Sequence, residues 1–133
     1  MAEQFDPWKA LGELPMSHAA RTRFLSFADR SVIETIEFGV LFVMAFWSGP
    51  SRRSFARFKQ VLASVDPKGL LEVVVVDTDG CSDLFLASEF IGQSHGCGEV
   101  AWIRDGRVVF TSGLGYHPEC FEPLTRELLQ GRS

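Results

Sequence analysis

The sequence predicts a three-layer α/β domain in which a mixed central sheet has helices on both faces. Residues 40–47 and 73–76 are continuous apolar runs, which are typical of central strands covered on both faces. A helical period over residues 51–65 separates the two runs, so these strands should be parallel. The Asp105-Gly106 pair between two later apolar runs predicts an antiparallel hairpin.

The first strand is predicted over residues 40–46, where both alternating sets of side chains are apolar. After it, apolar side chains recur at steps of three and four residues between basic ones, which indicates an amphipathic helix. This helix should end at Asp66-Pro67. The second strand should cover residues 70–77, which contain four consecutive valines.

Three further elements complete this part of the chain. Residues 82–91 can form a short helix closed by Gly92. The two hairpin strands are expected over residues 100–103 and 108–110, since each is a short apolar run next to the Asp-Gly turn. A final helix is expected over residues 119–129, whose apolar side chains share one face.

The chain before residue 38 favours helices. Asp6-Pro7 is typical of a helix start, with an N-cap oxygen followed by proline at the first helical position. A second helix is predicted over residues 17–28, with Phe24, Leu25 and Ala28 on one face, and Ser31 could cap a short third helix that runs through Ile36. The sequence shows no clear strand here, so the region either forms a purely helical extension or hides an edge strand.

The predicted organisation is therefore a helical N-terminal extension, residues 1–37, packed on a core domain, residues 38–133. The chain has 133 residues with 46% hydrophobic content, which suits one globular domain with a core. Its net charge is -4 with acids and bases mixed, and it lacks the basic stripe typical of nucleic-acid binders.

The composition also limits the location and the partners. The longest apolar run, residues 40–47, is far shorter than a membrane span, and the first residues lack the pattern of a secretory signal. The cysteines Cys81, Cys97 and Cys120 form an odd set without a dense framework. These features predict a cytoplasmic protein with free thiols that binds neither nucleic acid nor membrane.

The turn after the first predicted strand reads Trp47-Ser48-Gly49-Pro50-Ser51. It resembles the Trp-Cys-Gly-Pro-Cys motif of thioredoxins with both cysteines changed to serine. The resemblance extends over residues 38–129, where the strand before the motif, the strand ending at Asp77 and the hairpin at 103–107 are similar to those of the family. The chain is thus similar to a divergent member of the thioredoxin-like superfamily, and a three-layer thioredoxin-like fold is implied.

The resemblance also implies that the redox chemistry of the family has been lost. In thioredoxins a thiolate attacks a disulfide and a second thiol resolves the mixed intermediate, and a serine hydroxyl does neither. Alignment places Phe42 at the position of the family's buried acid and Gly98 at that of its cis-proline. The simplest role for Ser48 or Ser51 is to cap the helix that follows.

The function predicted on these grounds is a non-catalytic thioredoxin-like protein that binds an unidentified protein partner and needs no cofactor. The residues expected to line the binding groove are Trp47, Ser48, Gly49, Pro50, Ser51, Cys97 and Gly98.

An alternative function uses Cys97 alone, as a thiol oxidoreductase or a thiol carrier. Alignment places Cys97 beside the lost cis-proline position, and Arg52 and His95 could supply the electropositive setting that activates a thiol. This alternative predicts that Cys97 reacts with thiol reagents much faster than Cys81 and Cys120. The competing interpretation is that Cys97 fills apolar space.

Two further patterns remain. The pairs His95-x-Cys97 and His117-x-x-Cys120 supply a ligand set that suits tetrahedral zinc, although their spacing matches no strong signature. Three arginines, Arg52, Arg53 and Arg57, fall on the exposed face of the motif helix and are typical of a solvated surface. Their position near the helix start leaves open an acidic partner or a bound anion.

Overall fold

Five strands form one mixed sheet in the order β1-β3-β2-β4-β5. The structure is a computed structural model that describes residues 22–25, 31–44, 49–77, 99–112 and 118–130. Along these residues the elements are β1 (Thr22–Leu25), α1 (Ser31–Glu34), β2 (Phe38–Met44), α2 (Gly49–Val65), β3 (Glu72–Asp77), β4 (Glu99–Arg104), β5 (Arg107–Thr111), a 3-10 turn (Pro118–Cys120) and α3 (Phe121–Gln130).

The directions of the strands confirm the predicted mixed sheet. β2 and β3 are parallel and are joined through α2, as the helical crossover requires. β4 is antiparallel to β2, and β5 is antiparallel to β4. The strands β2 and β3 occupy the centre, where their side chains are buried on both sides.

Alternation along the strands gives the sheet two distinct faces. The face we call the aromatic face carries Val40, Phe42, Val73, Val75, Val100 and Trp102, and it packs against α2 and α3. The opposite face, which we call the aliphatic face, carries Leu41, Val43, Val74, Val76, Ala101 and Ile103, and it packs against α1. Helices therefore lie on both faces, as predicted.

Gly39 is required where β2 meets β3. A Cβ at this position would lie 2.3 Å from the carbonyl oxygen of Glu72, the residue that pairs with Gly39 across the two strands. Real Cβ atoms do not approach backbone oxygens so closely, so a larger residue would push the two central strands apart.

The β4–β5 turn is the expected Asp-Gly hairpin. Asp105 and Gly106 have φ values of 55° and 73°, the left-handed conformation that this turn type requires. The Asp105 amide donates to the Glu37 carbonyl, and the Gly106 amide donates to the Ile36 carbonyl at 2.9 Å. These bonds attach the hairpin to the segment between α1 and β2.

The prediction of a helix over residues 17–28 is wrong at residues 22–25, which form β1 and pair in parallel with β3. The sheet thus has five strands rather than the four predicted. Phe24 and Leu25 were expected on one side of a helix. Instead, Phe24 packs on the aromatic face and Leu25 on the aliphatic face. Successive side chains of a strand point to opposite faces, so each cluster gains one of them.

The other helix predictions have mixed outcomes. The helix at Ser31 is confirmed, but it ends at Glu34. The helices predicted at Asp6-Pro7 and over residues 82–91 lie outside the described residues. The same holds for residues 1–21, so their assignment to a helical extension stays a prediction.

Two side-chain contacts connect α3 to β4. The indole Nε1 of Trp102 donates to Thr125 Oγ1 at 2.9 Å, and Thr125 Oγ1 donates to the Phe121 carbonyl at 2.6 Å. Arg104 Nη2 donates to the Leu128 carbonyl at 3.0 Å, near the end of α3. These bonds fix the position of α3 on the aromatic face.

Candidate functional site

The motif turn follows the carboxyl end of β2 and leads directly into α2. α2 begins at Gly49, and Pro50 is its second residue. Proline is tolerated there because amides in the first helical turn have no acceptor within the helix. Trp47 and Ser48 lie outside the described residues, so the described part of the motif is its second half.

Ser51 is the third residue of α2 and is fully buried. Ser51 therefore lies inside the helix and is not its N-cap residue; a capping role for Ser48 stays a prediction. A buried hydroxyl has no exposed surface to offer a partner, although Ser51 was expected among the residues that line the groove. Ser54, one turn further on, is also fully buried.

Phe42 on β2 places an aromatic ring beneath α2. Its side chain is fully buried, and its ring centroid lies 4.8 Å from that of Phe55 in an edge-to-face arrangement with an interplanar angle of 73°. The ring of Phe58 lies 6.0 Å away on the same helix. These two rings provide dispersion and ring–ring attraction, and neither of them carries a group that could accept or donate a proton.

Three exposed basic side chains lie in the first half of α2. Arg52, Arg53 and Arg57 are exposed, and the first turn holds no acidic residue. A Cβ built on Gly49 would lie 3.3 Å from Arg53 Nη1, so the Arg53 guanidinium folds back over the first residue of the helix. This places a cation at the positive end of the helix dipole, which costs about 0.3–1 kcal/mol when uncompensated.

Cys120 is the one cysteine within the described residues, and it is a half-buried thiol, outside any disulfide, in the 3-10 turn before α3. Burial raises the pKa of this thiol, and the neighbouring Glu119 carboxylate raises it further. The thiol is therefore mainly protonated at neutral pH, and a protonated thiol is a poor nucleophile.

The proposed zinc ligands are described only in part. His95, Cys97 and His117 lie outside the described residues, and Cys120 is the only one of the four inside them. Among the described side chains there is no group of three or more histidine, cysteine or acidic residues that could hold a metal ion. The zinc hypothesis stays a prediction.

The groove residues Cys97 and Gly98 also lie outside the described residues. Their placement opposite the motif, and the reactivity of Cys97, stay predictions. The sequence analysis did not predict the position of Arg53 over Gly49. The i, i+4 spacing places the two residues on the same side of a helix, but it does not fix where the guanidinium lies.

No helix in the described parts of the chain is both long enough and apolar enough to cross a membrane.

Comparisons with known proteins identify the fold. No family model matches the chain, and no curated protein matches its sequence. Among solved structures, mitochondrial thioredoxin 3 from Saccharomyces cerevisiae is 18% identical with a TM-score of 0.58, and the similarity covers 84% of this chain and 98% of that one. The Schistosoma mansoni thioredoxin pre-protein is 17% identical with a TM-score of 0.59, over 81% of this chain and 98% of that one.

A third structure agrees with these two. Thioredoxin from Trypanosoma brucei brucei is 16% identical with a TM-score of 0.57, and the similarity covers 81% of this chain and 95% of that one. The TM-scores of these three structures establish a shared architecture, whereas their low sequence identities leave the activity open. With its mixed five-stranded sheet between helices, the chain has a thioredoxin-like fold.

Proposed function

We propose that this chain is a non-catalytic thioredoxin-like protein that lacks dithiol redox activity and binds a protein partner. The partner would contact the motif turn, residues 47–50, and the segment that contains Cys97 and Gly98. The proposed function needs no cofactor. A cytoplasmic location remains a prediction from the cysteine content.

The observation that supports this proposal is the fully buried ring of Phe42, packed against Phe55. The resemblance places the family's buried acid at this position, where it assists proton transfer. A phenyl ring cannot do so. Removal of the sulfurs alone could be a reversible change, whereas the aromatic packing under α2 makes the site unsuited to thiolate chemistry even if sulfur is restored.

The redox part of the proposal is tested by insulin reduction with dithiothreitol as the electron source. We expect no turnover by the wild-type protein above the background rate. We also expect that Ser48→Cys/Ser51→Cys stays far below an authentic thioredoxin, because position 51 is buried and apolar burial raises the pKa of a thiol. Wild-type turnover that disappears in Cys97→Ala would overturn the proposal in favour of the single-cysteine enzyme.

The binding part is tested by affinity capture from the native host. Wild-type protein should retain a partner that Trp47→Ala loses, since a tryptophan beside the motif would supply a large contact area. Val109→Ala is the matched control, because Val109 is an exposed apolar side chain on β5. Equal capture by Trp47→Ala, or equal loss in both variants, would contradict binding through the motif turn.

A further inference from the structure

The charge of α2 differs from that of the rest of the chain. This helix carries four of the 13 basic residues and none of the 17 acidic ones, which leaves nine basic against 17 acidic residues elsewhere. The protein is acidic overall, yet one helix is strongly cationic. The proposed function does not account for this separation of charge.

Two of these cations lie in line along one exposed side of α2. Arg53, Arg57 and Gln60 are spaced by four and three residues, which places them on the same side of the helix, and all three are exposed. We call this set the basic face. Arg57 Nη1 donates to Gln60 Oε1 at 3.3 Å, which directs the guanidinium along the helix.

The stability of the helix does not explain the basic face. Cations near a helix N-terminus oppose the dipole, and like charges four residues apart repel each other. Within the described parts of the chain, neither Arg53 nor Arg57 forms an ion pair with an acidic side chain. The Arg53 guanidinium nevertheless lies over Gly49, in the motif turn itself.

We propose that the basic face binds a short acidic segment of the partner protein, with carboxylates of that segment on Arg53 and Arg57. This inference rests on the proposed function, whose partner it describes chemically. Arginine suits the role because its planar guanidinium can hold a carboxylate through two parallel hydrogen bonds. A carboxylate on Arg53 would also be favoured by the positive end of the α2 dipole.

The spacing of the two arginines specifies the form of the segment. Four residues of helix separate them by about 6 Å along the axis. In an extended peptide, residues two apart lie about 6.6 Å from each other and point to the same side. The basic face therefore fits a segment with acidic residues at alternate positions.

A nucleic acid fits this surface less well. A phosphate backbone needs a basic stripe that follows it over many charges. Here the cations are confined to one helix, and the remaining chain carries an excess of acidic residues that would repel a long polyanion. A short acidic peptide can be bound without passing over those residues.

The test is fluorescence anisotropy with a labelled peptide that carries three glutamates at alternate positions, and with the same peptide in which glutamine replaces each glutamate. Wild-type protein should bind the glutamate peptide more tightly than the glutamine peptide, by at least about fivefold for two exposed charge-assisted contacts. Arg53→Gln/Arg57→Gln should lose this preference. Added salt should weaken the binding, because exposed ion pairs are screened.

The control is Lys68→Gln/Arg107→Gln, which changes the net charge equally at two other exposed sites. It should bind the glutamate peptide within about twofold of wild type, as expected when only non-contacting charges are removed. Equal loss in the control, equal binding of the glutamine peptide, or tighter binding of an oligothymidine by the basic face would overturn the proposal. Thermal melting of each variant checks that it remains folded.

The outcome separates this inference from the proposed function. Suppose that a partner captured through Trp47 is retained equally by wild type and Arg53→Gln/Arg57→Gln. The acidic-segment proposal then fails while the binding function stands. Insulin reduction that depends on Cys97 would instead overturn the non-catalytic function, whatever the peptide measurement gives.

Discussion

The two faces of the sheet bury different kinds of side chain. On the aromatic face the ring of Phe58 lies 5.3 Å from that of Phe121 and 6.2 Å from that of Trp102, both in edge-to-face arrangements. The described cluster on the aliphatic face contains valine, leucine, isoleucine and alanine side chains. The aromatic face therefore concentrates its packing in a few large rings, while the aliphatic face distributes it over many small groups.

This difference bears on the candidate site. The motif helix lies on the aromatic face, and Phe42 belongs to the same set of interlocking rings. Phe42 is thus part of the packing that holds α2 on the sheet. Under the proposed function, the same ring would both stabilise this face and stand where the resemblance places a proton-transferring acid.

The largest expected effect is that of Phe58→Ala on the aromatic face. Phe58 is fully buried among rings from β2, β4 and α3, so its removal leaves a large cavity. We expect a loss of about 3–5 kcal/mol in the free energy of unfolding, measured by urea denaturation. Ile103→Val on the aliphatic face should cost only about 0.5–1.5 kcal/mol. Similar costs for both would refute the proposed contrast between the faces.

On the aliphatic face, the substitution expected to lower stability most is one that adds a Cβ atom at Gly39. In Gly39→Ala the new Cβ would overlap the Glu72 carbonyl oxygen between the two central strands. The cost should be about 1–3 kcal/mol, or more if the strands separate. Gly49→Ala is the control, since its Cβ would meet only the mobile end of Arg53, and its stability should change little. A tolerated Gly39→Ala would show that the strands have room to shift.

Loss of the hydrogen bond between Trp102 and Thr125 on the aromatic face should lower the free energy of unfolding by an intermediate amount. Thr125→Val removes the acceptor of the buried Trp102 indole N–H and leaves that donor unpaired. Such a loss costs about 1–3 kcal/mol. Thr125→Ser keeps the hydroxyl and should cost less in the same denaturation measurement. If serine is as harmful as valine, the lost methyl group matters as much as the lost hydroxyl, and the hydrogen bond is not the main source of stability at this position.

The smallest effect is expected at the edge of the sheet, where Arg23 on β1 pairs with Glu72 on β3. Arg23 Nε lies 3.1 Å from Glu72 Oε1, and the two side chains are 43% and 30% exposed. A double-mutant cycle with Arg23→Gln and Glu72→Gln should give a coupling of about 0.2–1 kcal/mol. The coupling should shrink in 1 M salt, and a value unchanged by salt would indicate a desolvated pair instead.

The same edge shows why one strand escaped sequence analysis. Phe24 and Leu25 fit a helical spacing with Ala28, and four residues are too few to establish a strand alternation. β1 is stabilised by its pairing with β3, about 50 residues later, and by the Arg23–Glu72 pair. Contacts that distant leave no local pattern in the sequence.

The candidate site also has some features that local residues predict and others that they do not. The motif itself, the start of α2 and the absence of sulfur could all be predicted from local residues. The full burial of Ser51 and the position of Arg53 over Gly49 could not. Burial depends on what the rest of the chain places against a helix, and a long side chain chooses among rotamers according to its surroundings.

The sequence by itself determined the three-layer class, the buried central strands, the crossover helix and the Asp105-Gly106 hairpin. Each depends on a continuous apolar run, on a period of 3.6 or on the chemistry of a turn, all of which act over a few residues. Only the tertiary structure decided that Thr22–Leu25 forms a fifth strand, that Gly39 admits no larger residue, and that Phe42 is held within a set of rings. These features arise where segments distant in the chain meet, so their energies are fixed by packing rather than by local propensity.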